Sequence, residues 1–201
     1  SRATTYLSRK DPILKQVIRK AGPLSIRPNT KRSIFEALVR AIAHQQLHGR
    51  AAERILSRFL ALFPKQNNFP NPSAVRKIPP KKLRAVGFSN AKVKAIRDIA
   101  TKSSQGRIPT KKETARMSDE EIIKALLPLR GVGRWTAEMI LIFTLGRLDV
   151  LPVDDFGIRE GFRIAYKKRI QPKPKALAAY GARWAPYRSI AGLYLWHVAD
   201  Q

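Results

Sequence analysis

The sequence predicts an all-α fold, and three observations carry that prediction. Apolar residues recur at helical spacing along most of the chain. No alternating run of period two persists; Val150-Leu151-Pro152-Val153 is the one β-like string, and its proline weakens it. Pro, Gly and Asn mark the breaks, and the pieces between them have helical length. The periodicity implies roughly nine to eleven helices.

In chain order, the basic start Ser1–Lys10 reads as a candidate disordered arm, and a first residue that is not Met suggests that residues precede it. Asp11-Pro12 is a cap followed by proline at the first helical position, with Ile13, Leu14, Val17 and Ile18 repeating at helical period. A loop with two prolines spans Gly22–Thr30. From Lys31, the stripe Ile34, Phe35, Leu38, Val39 and Ile42 predicts the next helix. Gln45–Arg50 interrupts it, and Ala52, Ile55, Leu56, Phe59 and Leu60 mark another. Phe63–Pro80 is rich in Pro and Asn and reads as a loop with at most one short helix. Lys81–Ala85, the turn Val86–Asn90 and Ala91–Thr101 read as helix, tight turn, helix, before a loop over Ser103–Thr110. Ser118 and Glu121 form a capping-box signature that opens a helix through Leu127. Leu129–Gly133 turns the chain into a helix over Arg134–Leu145. Asp149–Val153 is an extended bridge, Asp154–Lys168 is helical, Pro172–Ala185 holds one short helix, and Pro186–Ala199 is the last. The units at 81–101 and 120–145 share one pattern, a candidate local duplication.

Composition narrows the function. Lys plus Arg number 40 against 14 Asp plus Glu, a net charge of +26, which points to a polyanion and above all to nucleic acid. With 44% hydrophobic residues the chain can bury a core. Cys is 0, which excludes disulfides, thiolate catalysis and cysteine-ligated metals or iron–sulfur clusters. The three histidines, His44, His48 and His197, are too scattered for a zinc site, so no metal site is expected. The longest apolar stretch, near Met139–Leu145, falls far short of the ~20 residues a membrane span needs. The start has no apolar core of a signal peptide, so a location with the DNA, cytoplasmic or nuclear by source, is expected rather than secretion.

Four motifs carry chemistry. In Leu129-Arg130-Gly131-Val132-Gly133-Arg134-Trp135-Thr136, two glycines let the backbone take φ > 0 and come close to another surface. The turn opens a helix whose first amides lack intrahelical partners, a ready phosphate site flanked by Arg130 and Arg134. An ordinary helix connector has similar glycines; the cationic surplus favours phosphate. The second motif is Pro152-Val153-Asp154-Asp155-Phe156. One Asp can cap the following helix. That leaves a spare carboxylate where phosphates are expected, and stabilising a cationic sugar during glycosidic cleavage would explain it. The third is aromatic. Trp135 has Glu138 and Met139 one turn on, and Trp184, Tyr187, Tyr194 and Trp196 crowd the end of the chain. Most such aromatics are core, but an aromatic pocket suits an electron-poor, cationic base. The fourth is Gln45-Gln46-Leu47-His48-Gly49, either a solvated loop or a wedge in which Leu47 or His48 fills the gap left by an extruded base. His44 has no obvious catalytic partner and reads as structural.

Together these residues resemble the helix-hairpin-helix glycosylase superfamily, specifically the 3-methyladenine DNA glycosylase II family. The resemblance covers roughly residues 10–200 and includes Arg40–Ile55, Leu129–Thr136, Leu151–Arg159 and Arg183–Trp196. It implies a compact two-lobed helical fold of one domain, 1–201, with its active site in the cleft between lobes. One lobe would take about 31–125; the N-terminal segment with about 126–201 would form the other and contain the hairpin motif 126–145. It implies Asp155 as the catalytic aspartate, with Asp154 the helix cap and the reserve. Trp135, Met139 and Trp196 would line the base pocket. Leu47, His48, Arg130, Gly131, Gly133, Arg134 and Thr136 would contact DNA. No cofactor is required, though hairpin carbonyls would suit a monovalent cation. Bifunctional members carry Lys directly after the Gly-Val-Gly-Arg string, where this chain has Trp135. The expected activity is therefore a monofunctional, monomeric glycosylase that removes alkylated purines from duplex DNA and leaves an abasic site. A non-catalytic helix-hairpin-helix DNA-binding protein and a glycosylase for another purine lesion are the alternatives, with a basic RNA-binding protein a weaker third.

Overall fold

A computed structural model describes residues 1–64 and 69–201. Part of the expected loop after Phe63 therefore lies outside the described residues. The described residues form thirteen α-helices and one 3₁₀ turn, with no strand among them. The chain divides into two compact units, a central one of Thr30–Ile140 and a terminal one that joins Ser1–Asn29 to Leu141–Gln201.

The central unit contains α3 (Ile34–His44), α4 (Gly49–Ala61), α5 (Pro72–Lys77), α6 (Pro80–Ala85), α7 (Asn90–Ser104), α8 (Lys111–Thr114), α9 (Asp119–Leu126) and most of α10 (Arg134–Phe143). α7 packs against α3, α5 and α6 and supplies the buried Ile96 and Ile99. Leu38 and Ile42 from α3, and Leu56 and Phe59 from α4, complete a core in which each of these side chains is at most 1% exposed. Full burial of a side chain of this kind contributes about 1.5–3 kcal/mol. The Ser118–Glu121 capping box is present as expected. A second one, Thr110 with Glu113, starts the single-turn α8 directly after the expected loop, in a stretch to which the periodicity assigns no element.

In this division the hairpin turn and α10 through Ile140 fall in the central unit. Five contacts hold the turn there. Ile42 Cδ1 and Ala95 Cβ lie against Gly131. Gln45 Nε2 donates to the Gly131 carbonyl at 3.0 Å, and Arg130 N–H to Asp98 Oδ2 at 2.9 Å. Lys102 Nζ donates to the Pro128 carbonyl at 2.9 Å. These partners are distant in sequence, and helical periodicity does not encode them.

The terminal unit contains α1 (Arg2–Lys10), α2 (Pro12–Ala21), α11 (Phe156–Ala165), α12 (Pro174–Gly181), the 3₁₀ turn (Ala182–Trp184) and α13 (Arg188–Ala199). The basic start is an ordered helix rather than a loose arm. Ser1 and Thr4 form its capping box, and Leu7 is fully buried in the cluster with Leu14, Ile158, Trp184 and Tyr194. Asp11 caps α2 as expected, its Oδ1 accepting from Ile13 N–H at 3.1 Å and Leu14 N–H at 3.0 Å. Its Oδ2 accepts from Tyr166 Oη at 2.6 Å and Trp184 Nε1 at 2.9 Å. The residue is wholly buried, so each of these donors offsets desolvation of the carboxylate. Burial and the Asp11 charge push the Tyr166 phenol far above its usual range, so it stays a donor.

Candidate functional site

In the terminal unit, one carboxylate meets an exposed aromatic edge. The segment leading to it is pinned first. Arg188 clasps Asp149 through two bonds of 2.8 and 2.9 Å. Ser189 Oγ donates toward the Arg147 carbonyl at 2.8 Å and accepts from Val150 N–H at 2.9 Å. The chain then turns at Pro152, whose carbonyl accepts from Asp155 N–H at 3.1 Å. α11 begins at Phe156, so the capping residue is Asp155, and Asp154 is an exposed turn residue. This corrects the expected division of labour. Either aspartate could cap on sequence grounds, and the helix boundary selects the one directly before it.

Asp155 has more than a capping role. Its Oδ1 accepts from Ile158 N–H at 2.8 Å and also from the Trp196 indole N–H at 2.7 Å. Two donors converging on one oxygen fix the plane of the carboxylate. Gly157 makes room for this, because a Cβ there would lie 2.8 Å from Trp196 Cδ1 and 3.2 Å from Asp155 Oδ1. Phe143 packs on Trp196 with ring centroids 5.8 Å apart. Phe143 is 38% exposed and Phe156 is 71% exposed. Neither is among the pocket residues that the resemblance implies. Their signal was an exposed phenylalanine at the end of a helix and another directly after an aspartate.

Of the crowded C-terminal aromatics, Trp184 and Tyr194 are core, fully buried and bonded to backbone or to Asp11. Tyr187 sits edge-on to Tyr6. Trp196 reaches Asp155. The other two expected pocket residues, Trp135 and Met139, belong to the central unit, with Trp135 46% exposed and Met139 half-buried on α10.

The expected DNA-contacting residues all lie on the central unit. Gly131 takes the left-handed backbone, φ +77°. Gly133 does not, and a Cβ on it would meet open space. The second glycine therefore serves to leave the start of α10 without a side chain rather than to permit a turn. Arg130 is exposed beside it. Arg134 is committed to acids, with two bonds to Glu120 at 2.8 and 2.9 Å and one to Glu138 at 3.2 Å. Glu120 foremost holds its pKa above the ordinary arginine value. Thr136 is buried.

Leu47 and His48 are exposed on the turn between α3 and α4, where Gln46 holds φ +56°. His44 pairs with Glu53 at 3.1 Å. Two residues brace this turn, Gln45 of the fourth motif and Lys92, which no sequence motif includes. Lys92 Nζ donates to the Ala43 carbonyl at 2.8 Å and the Gln45 carbonyl at 2.7 Å. Burial pulls its pKa below the usual lysine value. Gln45 in turn reaches the Gly131 carbonyl, so the Leu47 turn and the hairpin are tied by side chains. A glutamine breaking an apolar stripe was the visible clue.

These features define a class. Residues 39–186 match the HhH-GPD superfamily of base excision DNA repair proteins, and the chain belongs to it. The "DNA-3-methyladenine glycosylase 1" of Schizosaccharomyces pombe is 39% identical over 98% of this chain and 86% of its own. A solved structure of the 3-methyladenine DNA glycosylase of that yeast in complex with abasic DNA is 38% identical, with a TM-score of 0.87. It covers 100% of this chain and 98% of the other. A DNA-3-methyladenine glycosidase structure from Bacillus halodurans is 33% identical with a TM-score of 0.88, covering 100% and 90%. Within the superfamily, the chain therefore falls among the 3-methyladenine DNA glycosylases.

Proposed function

We propose that this protein is a base excision repair glycosylase that hydrolyses the N-glycosidic bond of alkylated purines in duplex DNA, acting as a monomer with Asp155 as its catalytic carboxylate. The observation that carries the assignment is the fixed Asp155 carboxylate, with Ile158 N–H and Trp196 Nε1–H both bonded to one oxygen.

The chemistry suits a positioned anion better than a strong acid. An N3- or N7-alkylated purine already carries positive charge. When the C1′–N bond breaks, its electron pair leaves with the base, which departs neutral. The positive charge passes to the sugar as an oxocarbenium ion. A carboxylate beside that carbon stabilises it, and water adds with loss of a proton. Flipping the base costs a few kcal/mol, least for weakly stacked lesions. In this reading Leu47 and His48 wedge the duplex, and the Gly131–Gly133 amides and Arg130 take phosphates. Trp135, Met139 and Trp196 take the base, with Phe143 added beside Trp196. No cofactor is required. A monovalent cation on the hairpin carbonyls fits oxygens such as Gly131 O, which already accepts one bond from Gln45 and has a second lone pair. Trp135 has no amine, so an imine with the sugar has no nucleophile and the abasic site is left intact.

The test is base release from methylated duplex DNA, with chromatography of the freed base and gels before and after alkali. Freed alkylpurine with breaks only after alkali is expected. Asp155→Asn should lose base release by orders of magnitude and keep DNA binding, because Asn can still cap α11. Full activity in Asp155→Asn with loss in Asp154→Asn would move the catalytic role to Asp154.

A further inference from the structure

A recess of about 580 Å³ opens on the central unit where α6, α7 and the hairpin meet, lined by Arg84, Lys94, Arg97, Asp98 and Arg130. Four cations share it with one carboxylate, and that carboxylate is already engaged. Asp98 Oδ2 accepts from Arg130 N–H and from Lys102 Nζ, each at 2.9 Å. Two of the three guanidiniums are anchored by backbone. Arg84 donates to the Phe88 carbonyl, and Arg97 Nη1 to the Ile78 carbonyl at 2.7 Å. A guanidinium has five N–H donors and stays charged, so such an anchor holds the group still without using it up.

Anchoring of the chain accounts for Arg84 and Arg97. It does not account for Lys94 and Arg130, which are exposed and bring two more like charges to the same recess. Grouping cations raises the free energy of the unbound protein, and a bound anion relieves it. Apart from the charged residues, Pro80, Asn90 and Val93 line the recess and no aromatic ring does, so it offers a base nothing to stack on. Arg130 belongs both to the recess and to the hairpin turn, which makes the two surfaces continuous.

We infer that this recess is a second phosphodiester site, which takes the DNA backbone where it runs past the hairpin. The inference rests on the DNA-binding reading above. Lys94 is its diagnostic residue, because it lies outside the hairpin.

The test uses the full chain and a fluorescent abasic-site duplex, with affinity followed against salt by anisotropy. The slope of log K against log salt should fall by about 0.9 for each phosphate contact removed. Lys94→Gln should therefore lower it by about 0.9 and Lys94→Gln/Arg130→Gln by about 1.8, while Lys94→Arg restores the wild-type slope. Lys112→Gln, on α8, removes one charge outside the recess and should leave the slope unchanged. A wild-type slope in Lys94→Gln overturns the second site and directs attention to an acidic protein partner. An equal drop in Lys112→Gln also overturns it, because the effect is then net charge alone. Absence of salt-dependent binding by the wild type overturns the DNA-binding reading itself.

Discussion

The central unit contains the same motif twice, and the two copies serve different ends. The turn between α6 and α7 and the turn between α9 and α10 each reverse two helices through a glycine in a left-handed region, Gly87 at φ +111° and Gly131 at φ +77°. In the first, the next residue is Phe88, wholly buried against Phe59, and Ser89 then caps α7 by accepting from Lys92 N–H. In the second, the smaller Val132 is buried and the residue before α10 is Gly133, which has no side chain to cap with. One turn spends its polar groups on itself. In the proposed function the other leaves its helix start to a phosphate. The difference lies in a Phe-Ser pair against a Val-Gly pair, and it separates a turn that caps its own helix from the one the proposal assigns to phosphate.

The largest test of that contrast removes the apolar anchor. Phe88→Ala should cost about 3–5 kcal/mol of stability and Val132→Ala about 2 kcal/mol, read from urea unfolding. Equal losses would mean that both turns are anchored alike.

A smaller test exchanges the caps. Ser89→Ala should cost about 1 kcal/mol of stability and leave DNA affinity near normal. Gly133→Ser should change stability by only a few tenths of a kcal/mol yet weaken DNA binding about tenfold, as the new hydroxyl competes for the amides that a phosphate would take. Unaltered affinity in Gly133→Ser would place the phosphate elsewhere.

The smallest effect is set by pH. Burial alone would raise the pKa of Asp98, but the Arg130 N–H and Lys102 outweigh it and hold it below the usual carboxylate value. A depressed folded value contributes stability that is full above the ordinary pKa and is lost as pH falls through the depressed one. The Arg130 amide resonance should therefore titrate with a midpoint below about 3.9. A midpoint at or above that value would detach Asp98 from the hairpin.

Local signals were legible in the sequence where the cause is local. Asp11-Pro12 and Ser118–Glu121 state their helix starts outright, because a cap is satisfied within three residues. The Gly-Val-Gly turn and the paired aspartates were visible as anomalies in a cationic chain. What the sequence concealed depends on distant partners. α1 is basic, and its order comes from Leu7 packing with residues of α13. Gln45 and Gly131 are 86 positions apart. The choice between Asp154 and Asp155 turned on one residue of helix boundary, the least determined quantity in any periodic pattern.

The division of the chain has a consequence for how the protein is made. The central unit is one continuous stretch, and all of its helices leave the ribosome in order. The terminal unit is assembled from both ends, so Ser1–Asn29 is synthesised first but finds its partners last, after Leu141–Gln201 emerges. Until then the apolar faces of α1 and α2 are uncovered and the Asp11 carboxylate waits for Tyr166 and Trp184. Asp155, the carboxylate proposed as catalytic, belongs to the unit completed second, so the nascent chain can display a finished hairpin turn before that carboxylate is in place.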